Sequence, residues 1–268
     1  MERICPHRHM KRVPLDLSLF RWIESQTSEP DRRALLSIRE AVCSIAADYR
    51  YLEVGSHLGG SLQPHVVDAR CVKIFSVDPR PLEQPDERGI SKFKYEGNST
   101  DRMLALLSKI PGADIRKIQT FEANSWDLSV EDVPAAVDFA FIDGEHTNTA
   151  VFRDFISVRR FLSATSILAF HDCFFTPAAI LKISHFLKRE RRVHSVHYFP
   201  DSVVVAIVFN STRLSELLLN SGWQEGAPIR FSHILRLFVR RRFPWIVSAV
   251  RSIKRHSPKP NHAASLPQ

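Results

Sequence analysis

Four apolar runs in this chain end in residue types that bind polar ligands or move protons. The runs cover residues 50–54, 72–78, 137–142 and 166–170, and the polar residues at or near their ends are Glu53, Asp78, Asp143, His146, His171 and Asp172. Carboxylates accept hydrogen bonds from ligand hydroxyls, and both carboxylates and imidazoles act as general acids or bases. If these side chains lie together, they can bind a polar ligand beside a proton-transfer group.

The first run leads into a Gly-rich stretch, which is typical of a buried strand that ends in a tight turn. Gly55 follows the strand directly, and Gly59 and Gly60 come four and five positions later. Because glycine has no Cβ, the backbone N–H groups of such a turn can approach a ligand closely. The stretch lacks the Gly-Lys-Ser/Thr of a phosphate loop, and its glycine spacing is not that of the dinucleotide-binding fingerprint. The pattern therefore predicts a ligand-binding turn of another kind.

Alternating strand and helix patterns predict an α/β fold, doubly wound and Rossmann-like, with a mostly parallel sheet. The predicted strands cover residues 50–54, 72–78, 115–121, 137–142, 166–170, 193–199 and 202–209, and the predicted helices cover 31–48, 99–110, 148–162 and 177–190. Ligands of such sheets bind outside the carboxyl ends of the strands. The polar strand ends should therefore converge at one edge, where Asp78 either binds ribose hydroxyls or caps a turn.

These segments together resemble the class I S-adenosylmethionine-dependent methyltransferases. The likeness is greatest to a branch of small O-methyltransferases whose fourth strand reads I-D-G-x-H and whose fifth strand ends in H-D. The matching segments are EVGSHLGGS (53–61), FSVDPR (75–80), FIDGEH (141–146) and FHD (170–172), within a likeness over roughly residues 30–210. The resemblance implies a seven-stranded sheet with an antiparallel last strand, helices on both faces, and S-adenosyl-L-methionine as the cofactor.

The resemblance also implies which residues bind the cofactor. The residues at its methionine end would be Glu53, Gly55, Ser56, Gly59, Gly60 and Ser61. Asp78 would hold the ribose hydroxyls, and Asn124, Ser125 and Trp126 would lie near the adenine. Asp143 would lie beneath the sulfonium and face the acceptor.

Catalytic and metal-binding roles are assigned to the same edge. In metal-dependent relatives, carboxylates that end the fourth and fifth strands bind a divalent cation, so Asp143 and Asp172 would hold Mg²⁺. Cys173 departs from that pattern, because hard cations prefer oxygen ligands. For a hydroxyl acceptor, the catalytic candidates are Asp143, His146 and His171, with the two imidazoles available as the general base. Helix capping, substrate contact or a hydrogen bond to a neighbouring loop are alternative roles for the histidines.

The composition is that of an ordinary globular protein, with 44% hydrophobic and 25% charged residues. No run of about 20 apolar residues predicts a membrane span. The first twelve residues are charged and lead into no apolar run typical of a secretory signal. The four cysteines lack paired spacing and are expected to be reduced thiols. These features predict a cytoplasmic protein.

Charge is segregated along the chain. No acidic residue follows Glu225, whereas nine Lys and Arg residues do, so the net charge is −1 up to residue 225 and +9 beyond it. We therefore expect an N-terminal segment (1–30), a cofactor-binding domain (31–225) and a basic amphipathic tail (226–268) whose end is disordered. The tail suits either peripheral contact with an anionic membrane or packing on the domain. The sequence of the tail does not favour nucleic-acid binding. Whether the protein forms a homodimer is not decided by the sequence.

The combined patterns predict a methyltransferase that acts on a hydroxyl of a small molecule or glycan. A nucleotide-dependent oxidoreductase with the same fold is an alternative, disfavoured by the glycine spacing, and NADH binding would reveal it. A non-catalytic cofactor-binding or scaffold protein is a second alternative, which activity on a panel of hydroxylated acceptors would exclude. Residues 82–98 are polar and irregular, and they are the expected substrate lid.

Overall fold

A computed structural model describes residues 15–87, 92–134 and 136–226 of the chain. The strands are β1 (Tyr49–Val54), β2 (Cys71–Val77), β3 (Glu83–Pro85), β4 (Lys92–Lys94), β5 (Ile118–Phe121), β6 (Val137–Ile142), β7 (Leu162–Phe170), β8 (His194–Tyr198), β9 (Val205–Phe209) and β10 (Gln224–Glu225). The helices are α1 (Glu29–Cys43), α2 (Gln63–Val66), α3 (Thr100–Leu107), α4 (Asn148–Val158), α5 (Pro177–Arg189) and α6 (Thr212–Asn220). The predicted basic tail lies outside the described residues.

Eight of the strands form one mixed sheet in the order β10-β8-β9-β7-β6-β1-β2-β5. Neighbours from β7 to β5 are parallel, β9 is antiparallel to both β7 and β8, and β10 is antiparallel to β8. The mostly parallel α/β sheet is confirmed. The predicted count of seven strands was too low by one, because the two-residue strand β10 pairs with β8 at the sheet edge.

Both faces of the sheet are covered. Along β1 and β6, consecutive side chains are almost all buried although they point to opposite faces. Tyr49, Tyr51 and Phe139 belong to a core cluster that also contains side chains of α1 and α6. Such continuous apolar strands are typical of parallel sheets with helices on each side.

The register of the central strands places their carboxyl ends side by side. Val54, the last residue of β1, pairs with Val77 of β2 and with Ile142 of β6. The backbone N–H of Gly55 then donates to Val77 O at 2.8 Å, and that of Asp143 donates to Val54 O at 2.9 Å. The residues that follow each strand are therefore neighbours at one edge.

Helix α1 begins at a capping box. The side chain of Ser28 accepts from the backbone N–H of Asp31, and the carboxylate of Asp31 accepts from the N–H of Ser28 at 2.9 Å. This motif starts the helix at Glu29, two residues before the predicted start, and the helix ends at Cys43 and not at residue 48. Asp31 thereby gains a fixed position near the sheet edge.

The predicted lid region contains a small hairpin. Strands β3 and β4 pair antiparallel outside the main sheet. Residues 88–91 within this region lie outside the described residues. Tyr95, which follows β4, packs its ring 5.4 Å from that of His57.

Among the described residues, no helix is both long and apolar enough to span a bilayer.

Candidate active site

The Gly-rich loop begins at a contact between two backbones. Gly55 has a φ of +88°, and a Cβ at this position would lie 2.3 Å from the carbonyl oxygen of Asp143. Atoms at that distance overlap, and neither partner is a flexible side chain. Glycine is therefore required here both for its backbone conformation and for the close approach of the two strand ends.

We predict that Gly55→Ala lowers the free energy of unfolding by about 2–5 kcal/mol, from left-handed strain together with overpacking. The matched control is Gly112→Ala. Gly112 has a φ of +80° but no atom within 4 Å of an added Cβ, so it should lose only about 1–2 kcal/mol. Urea unfolding of both variants measures the difference. Equal losses would mean that the contact with Asp143 relaxes freely.

Glu53 lies behind the Gly-rich loop and is fully buried. Its carboxylate accepts a hydrogen bond from the hydroxyl of Tyr51 at 2.7 Å and another from the hydroxyl of Ser61. Burial raises the pKa of Glu53 to about 8, and these two hydrogen bonds only partly oppose the effect. Glu53 therefore anchors the loop to β1, and its predicted direct contact with the cofactor stays a prediction.

The raised pKa of Glu53 predicts a pH dependence of stability. The carboxyl of the unfolded chain releases its proton near the ordinary glutamate pKa of 4.5, and that of the folded protein near 8. The unfolded state therefore binds fewer protons between these values, and stability falls as pH rises through that window, by at most about 1.4 kcal/mol per pH unit. Glu53→Gln should flatten this slope in urea unfolding at pH 5, 6, 7 and 8. Glu29→Gln, at an exposed position, should leave it unchanged, and an unchanged slope in Glu53→Gln would contradict the prediction.

Asp78 follows β2 and is buried beside the Gly-rich loop. Its Oδ2 accepts from the backbone N–H of His57 at 2.8 Å, and its Oδ1 accepts from that of Arg80 at 2.8 Å. The guanidinium of Arg80 lies 3.4 Å from Oδ2. A small cavity at this point is lined by Gly55, His57, Asp78, Gln84, Tyr95, Asn98, Asp143 and Gly144. Asp78 therefore lines a cavity beside the Gly-rich loop, and its contact with the ribose stays a prediction.

A larger cavity of about 210 Å³ opens beside the same loop. Its walls bring together residues before α1, the Gly-rich loop and the ends of β6 and β7. The lining residues are Glu24 to Ser28, Asp31, Gly55 to His57, Gly60, Ser61, Tyr95, Asp143, His146, His171, Asp172 and Val203. The prediction was that Asp143, His146, His171 and Asp172 converge at one edge of the sheet. In the structure all four line this cavity.

His171 is buried among carboxylates. Its Nδ1 lies 3.0 Å from Asp143 Oδ1, and its Nε2 lies 3.5 Å from Asp31 Oδ2. Burial lowers the pKa of His171, but the charge of Asp143 and the contacts with both carboxylates outweigh it and raise the pKa well above its ordinary value. We therefore expect a permanent imidazolium, which is a poor proton acceptor at neutral pH.

His146 pairs with Asp172, whose other carboxylate oxygen faces His171. The distance from His146 Nδ1 to Asp172 Oδ2 is 3.4 Å, and both side chains are nearly fully buried at the cavity wall. An imidazole oriented by a carboxylate is the usual arrangement of a general base. Of the two predicted base candidates, His146 has the surroundings that suit proton transfer.

The predicted Mg²⁺ ligands lie close to the imidazolium of His171. Asp172 Oδ1 is 3.7 Å from His171 Nδ1, the nitrogen that also faces Asp143. The described residues contain no group of three or more His, Cys, Asp or Glu side chains arranged to hold a metal ion. Burial raises the pKa of the Cys173 thiol, so it is not a thiolate. The donor set does not fit Mg²⁺ as it stands, and metal binding by Asp143 and Asp172 stays a prediction.

The predicted adenine-binding residues lie in a 3₁₀ turn after β5. Ser125 is buried, and its hydroxyl donates to Asp154 at 2.6 Å. Trp126 stacks under the guanidinium of Arg153, with 3.8 Å from the guanidinium carbon to the ring centroid. Neither these residues nor Asn124 line the two cavities described above. Their contact with adenine stays a prediction.

Asp31 and His57 are among the residues of the site that were not predicted from the sequence. Asp31 lines the larger cavity and faces His171, and its capping-box spacing, Ser-x-x-Asp, was the available signal. His57 lines both cavities from within the Gly-rich loop, and its position between Gly55 and Gly59 was the available signal.

The site fits S-adenosylmethionine on structural grounds. The backbone of Gly55 approaches the neighbouring strand end more closely than any other residue type allows, and Asp78 presents a carboxylate to the adjoining cavity. His57 lines both cavities, and its ring nitrogen Nε2 is buried without a hydrogen-bond partner among the described residues. A ligand with polar groups would complete these contacts.

Part of the chain is similar to known proteins. Residues 52–173 match a family described as a methyltransferase domain. Uncharacterized protein R132 of Acanthamoeba polyphaga mimivirus is 23% identical over 126 residues, which are 47% of this chain and 52% of that protein. The chain thus spans about half the length of the curated relative that it matches.

Two solved structures share the fold. The O-methyltransferase NovP is 12% identical, with a TM-score of 0.51 over 67% of this chain and 81% of NovP. A candidate O-methyltransferase from Klebsiella pneumoniae is 11% identical, with a TM-score of 0.50 over 74% of this chain and 92% of that protein. At these identities the likeness shows the fold alone. Residues 52–173 are therefore similar to a methyltransferase domain, and the sheet shares the fold of these two proteins.

Proposed function

We propose that this chain transfers a methyl group from S-adenosylmethionine to a hydroxyl oxygen of a small molecule or glycan. The observation that carries the proposal is the pairing of His146 with Asp172 at the wall of the larger cavity, beside the Gly-rich loop. A hydroxyl acceptor must lose its proton, and this pair supplies a base where an acceptor can bind.

The polarity of the cavity favours a polyhydroxylated acceptor. All of its lining residues except Gly55, Gly60 and Val203 carry a hydroxyl, amide, imidazole or carboxylate group. Pockets for flat aromatic ligands are lined mainly by apolar and aromatic side chains. The carboxylates of Glu24, Asp31, Asp143 and Asp172 also disfavour an anionic acceptor, so a neutral sugar hydroxyl suits the site best.

The protein contributes positioning and proton transfer. The cofactor, when bound, supplies a methyl group already activated by the positively charged sulfur. The chain must then hold the acceptor oxygen in line with that methyl carbon. His146 would accept the proton of the acceptor hydroxyl, and Asp172 would stabilise the resulting imidazolium. Asp143, held by His171, lies on the wall between the Gly-rich loop and this pair.

A panel of acceptors tests the proposal. Purified protein is incubated with radiolabelled S-adenosylmethionine and neutral sugars, glycosides, catechols or amines, each with Mg²⁺ or with EDTA. We expect label in an ether-linked methyl group of a sugar or glycoside. Exclusive labelling of amines, or no turnover with any hydroxylated acceptor by a protein that binds the cofactor, would contradict it.

A further inference from the structure

His57, in the Gly-rich loop, has a buried ring nitrogen, Nε2, that lacks a hydrogen-bond partner among the described residues. His57 is among the residues that line both the small cavity around Asp78 and the larger cavity around Asp143. A buried polar atom without a partner is costly, and in native structures it usually meets a ligand or water.

The backbone of His57 is held in a strained position by the neighbouring acidic residue. Its φ is +43°, in the left-handed region that non-glycine residues seldom adopt. Its N–H donates to Asp78 Oδ2 at 2.8 Å, and its carbonyl oxygen accepts from the guanidinium of Arg80. Strain that is fixed from both sides is typical of functional sites. The imidazole is thereby held beside the carboxylate of Asp78, against the ring of Tyr95.

Asp78 has little capacity left for a ligand. A carboxylate offers about four acceptor positions. Three are engaged by the N–H groups of His57 and Arg80 and by the guanidinium of Arg80. A ribose presents two adjacent hydroxyls, so a second protein group is needed to bind both.

We propose that the imidazole of His57 hydrogen-bonds one ribose hydroxyl of S-adenosylmethionine while Asp78 accepts from the other. This inference rests on the proposed function. It gives His57, which lies between Gly55 and Gly59 of the loop, a direct contact with the cofactor. The contact is made through the side chain and not through the backbone.

The chemistry of the ring suits a hydroxyl. Burial lowers the pKa of His57, which outweighs the opposing charge of Asp78, so the imidazole is neutral at pH 7. A neutral imidazole has one donor and one acceptor nitrogen, and a hydroxyl can pair with either. The ring also packs edge-on against that of Tyr95, which follows β4 in the predicted lid region.

Calorimetric titration of His57→Phe tests the contact without a catalytic assay. Phenylalanine keeps the ring and the Cβ but removes both nitrogens, so the backbone strain is unchanged. The probes are S-adenosylhomocysteine and its 2′-deoxy and 3′-deoxy analogues. We expect His57→Phe to bind S-adenosylhomocysteine about tenfold more weakly than the wild type, the value of one buried hydrogen bond. One of the two deoxy analogues should bind the wild type and His57→Phe with equal affinity. That analogue lacks the hydroxyl that His57 contacts, so the hydrogen bond is already absent and the variant loses nothing more.

The controls separate this inference from the proposed function. His185→Phe, at an exposed position of α5, should bind like the wild type. His57→Gly replaces the Phe variant if that variant does not fold, because glycine adopts a φ of +43° without strain. The assignment would be overturned if His57→Phe bound S-adenosylhomocysteine as tightly as the wild type does. It would also be overturned if removal of either ribose hydroxyl weakened binding to the variant and to the wild type by the same factor. A folded wild type that binds no S-adenosylhomocysteine would overturn the proposed function and this contact with it.

Discussion

Replacing His146 by alanine should reduce methyl transfer by about 100-fold to 10,000-fold, the range for loss of a general base. The acceptor hydroxyl would then have to lose its proton to water. His146 lines the acceptor cavity but not the small cavity around Asp78, so affinity for S-adenosylhomocysteine should change little. Single-turnover rates with saturating acceptor measure the loss, and calorimetry measures the affinity.

Two further variants show whether the loss comes from proton transfer. His185→Ala, on the exposed face of α5, controls for removal of an imidazole and should keep full activity. Asp172→Asn keeps the shape of the partner but removes its charge, and it should lower the rate less than His146→Ala does. A His146→Ala enzyme that retains more than about half of the wild-type rate would place the base elsewhere, since general bases contribute at least about 100-fold.

Replacing Asp31 by alanine should lower the free energy of unfolding by about 3–5 kcal/mol, as expected when one partner of a buried ion pair is removed. Asp31 Oδ2 faces His171 Nε2 at 3.5 Å, and its Oδ1 accepts from the hydroxyl of Ser202 at 2.7 Å and from the N–H of Val203 at 3.0 Å. Burial raises the pKa of Asp31, but contacts with His171, Ser28 and Ser202 outweigh it and hold the pKa far below its ordinary value. Its loss leaves a buried imidazolium with one fewer counter-charge.

Glu29→Ala is the matched control for Asp31→Ala. Glu29 lies in the same helical turn, but its ion pair with Arg33 is exposed to solvent, so its loss should cost less than about 1 kcal/mol. Urea unfolding at pH 7 gives both values. Because the pKa of Asp31 is depressed, its stabilisation is present above pH 3.8, the ordinary pKa of an aspartate, and is lost as pH falls toward the folded pKa. Similar small losses in both variants would show that His171 does not depend on Asp31.

The convergence of the catalytic candidates could be predicted because it depends on backbone geometry. Apolar runs of strand length, each followed by an acidic residue or histidine, define parallel strands whose carboxyl ends share an edge. The register of β1 with β2 and β6 then places Gly55, Asp78 and Asp143 side by side. The bounds of β6 agree with the prediction for the same reason, since every residue from 137 to 142 fits one buried strand.

The roles of individual side chains could not be predicted, because they depend on partners distant in sequence. Asp31 and His171 are separated by most of the domain, and the carboxylates of Asp31 and Asp143 together raise the pKa of His171. Glu53 lies at a strand end like Asp78, yet alternation along β1 turns it toward Tyr51 and Ser61. The short strand β10 carries no apolar pattern, so its pairing with β8 gave no signal.

The most direct test of this account is calorimetric titration of S-adenosylhomocysteine into the folded wild-type protein, beside Asp78→Ala. We expect saturable one-to-one binding with a micromolar dissociation constant in the wild type, and at least about 100-fold weaker binding in Asp78→Ala, as for a hydrogen-bonded carboxylate at its ligand. Circular dichroism of both samples shows that they are folded. No binding by the folded wild type, or equal binding by Asp78→Ala, would contradict a cofactor site at the carboxyl ends of β1 and β2.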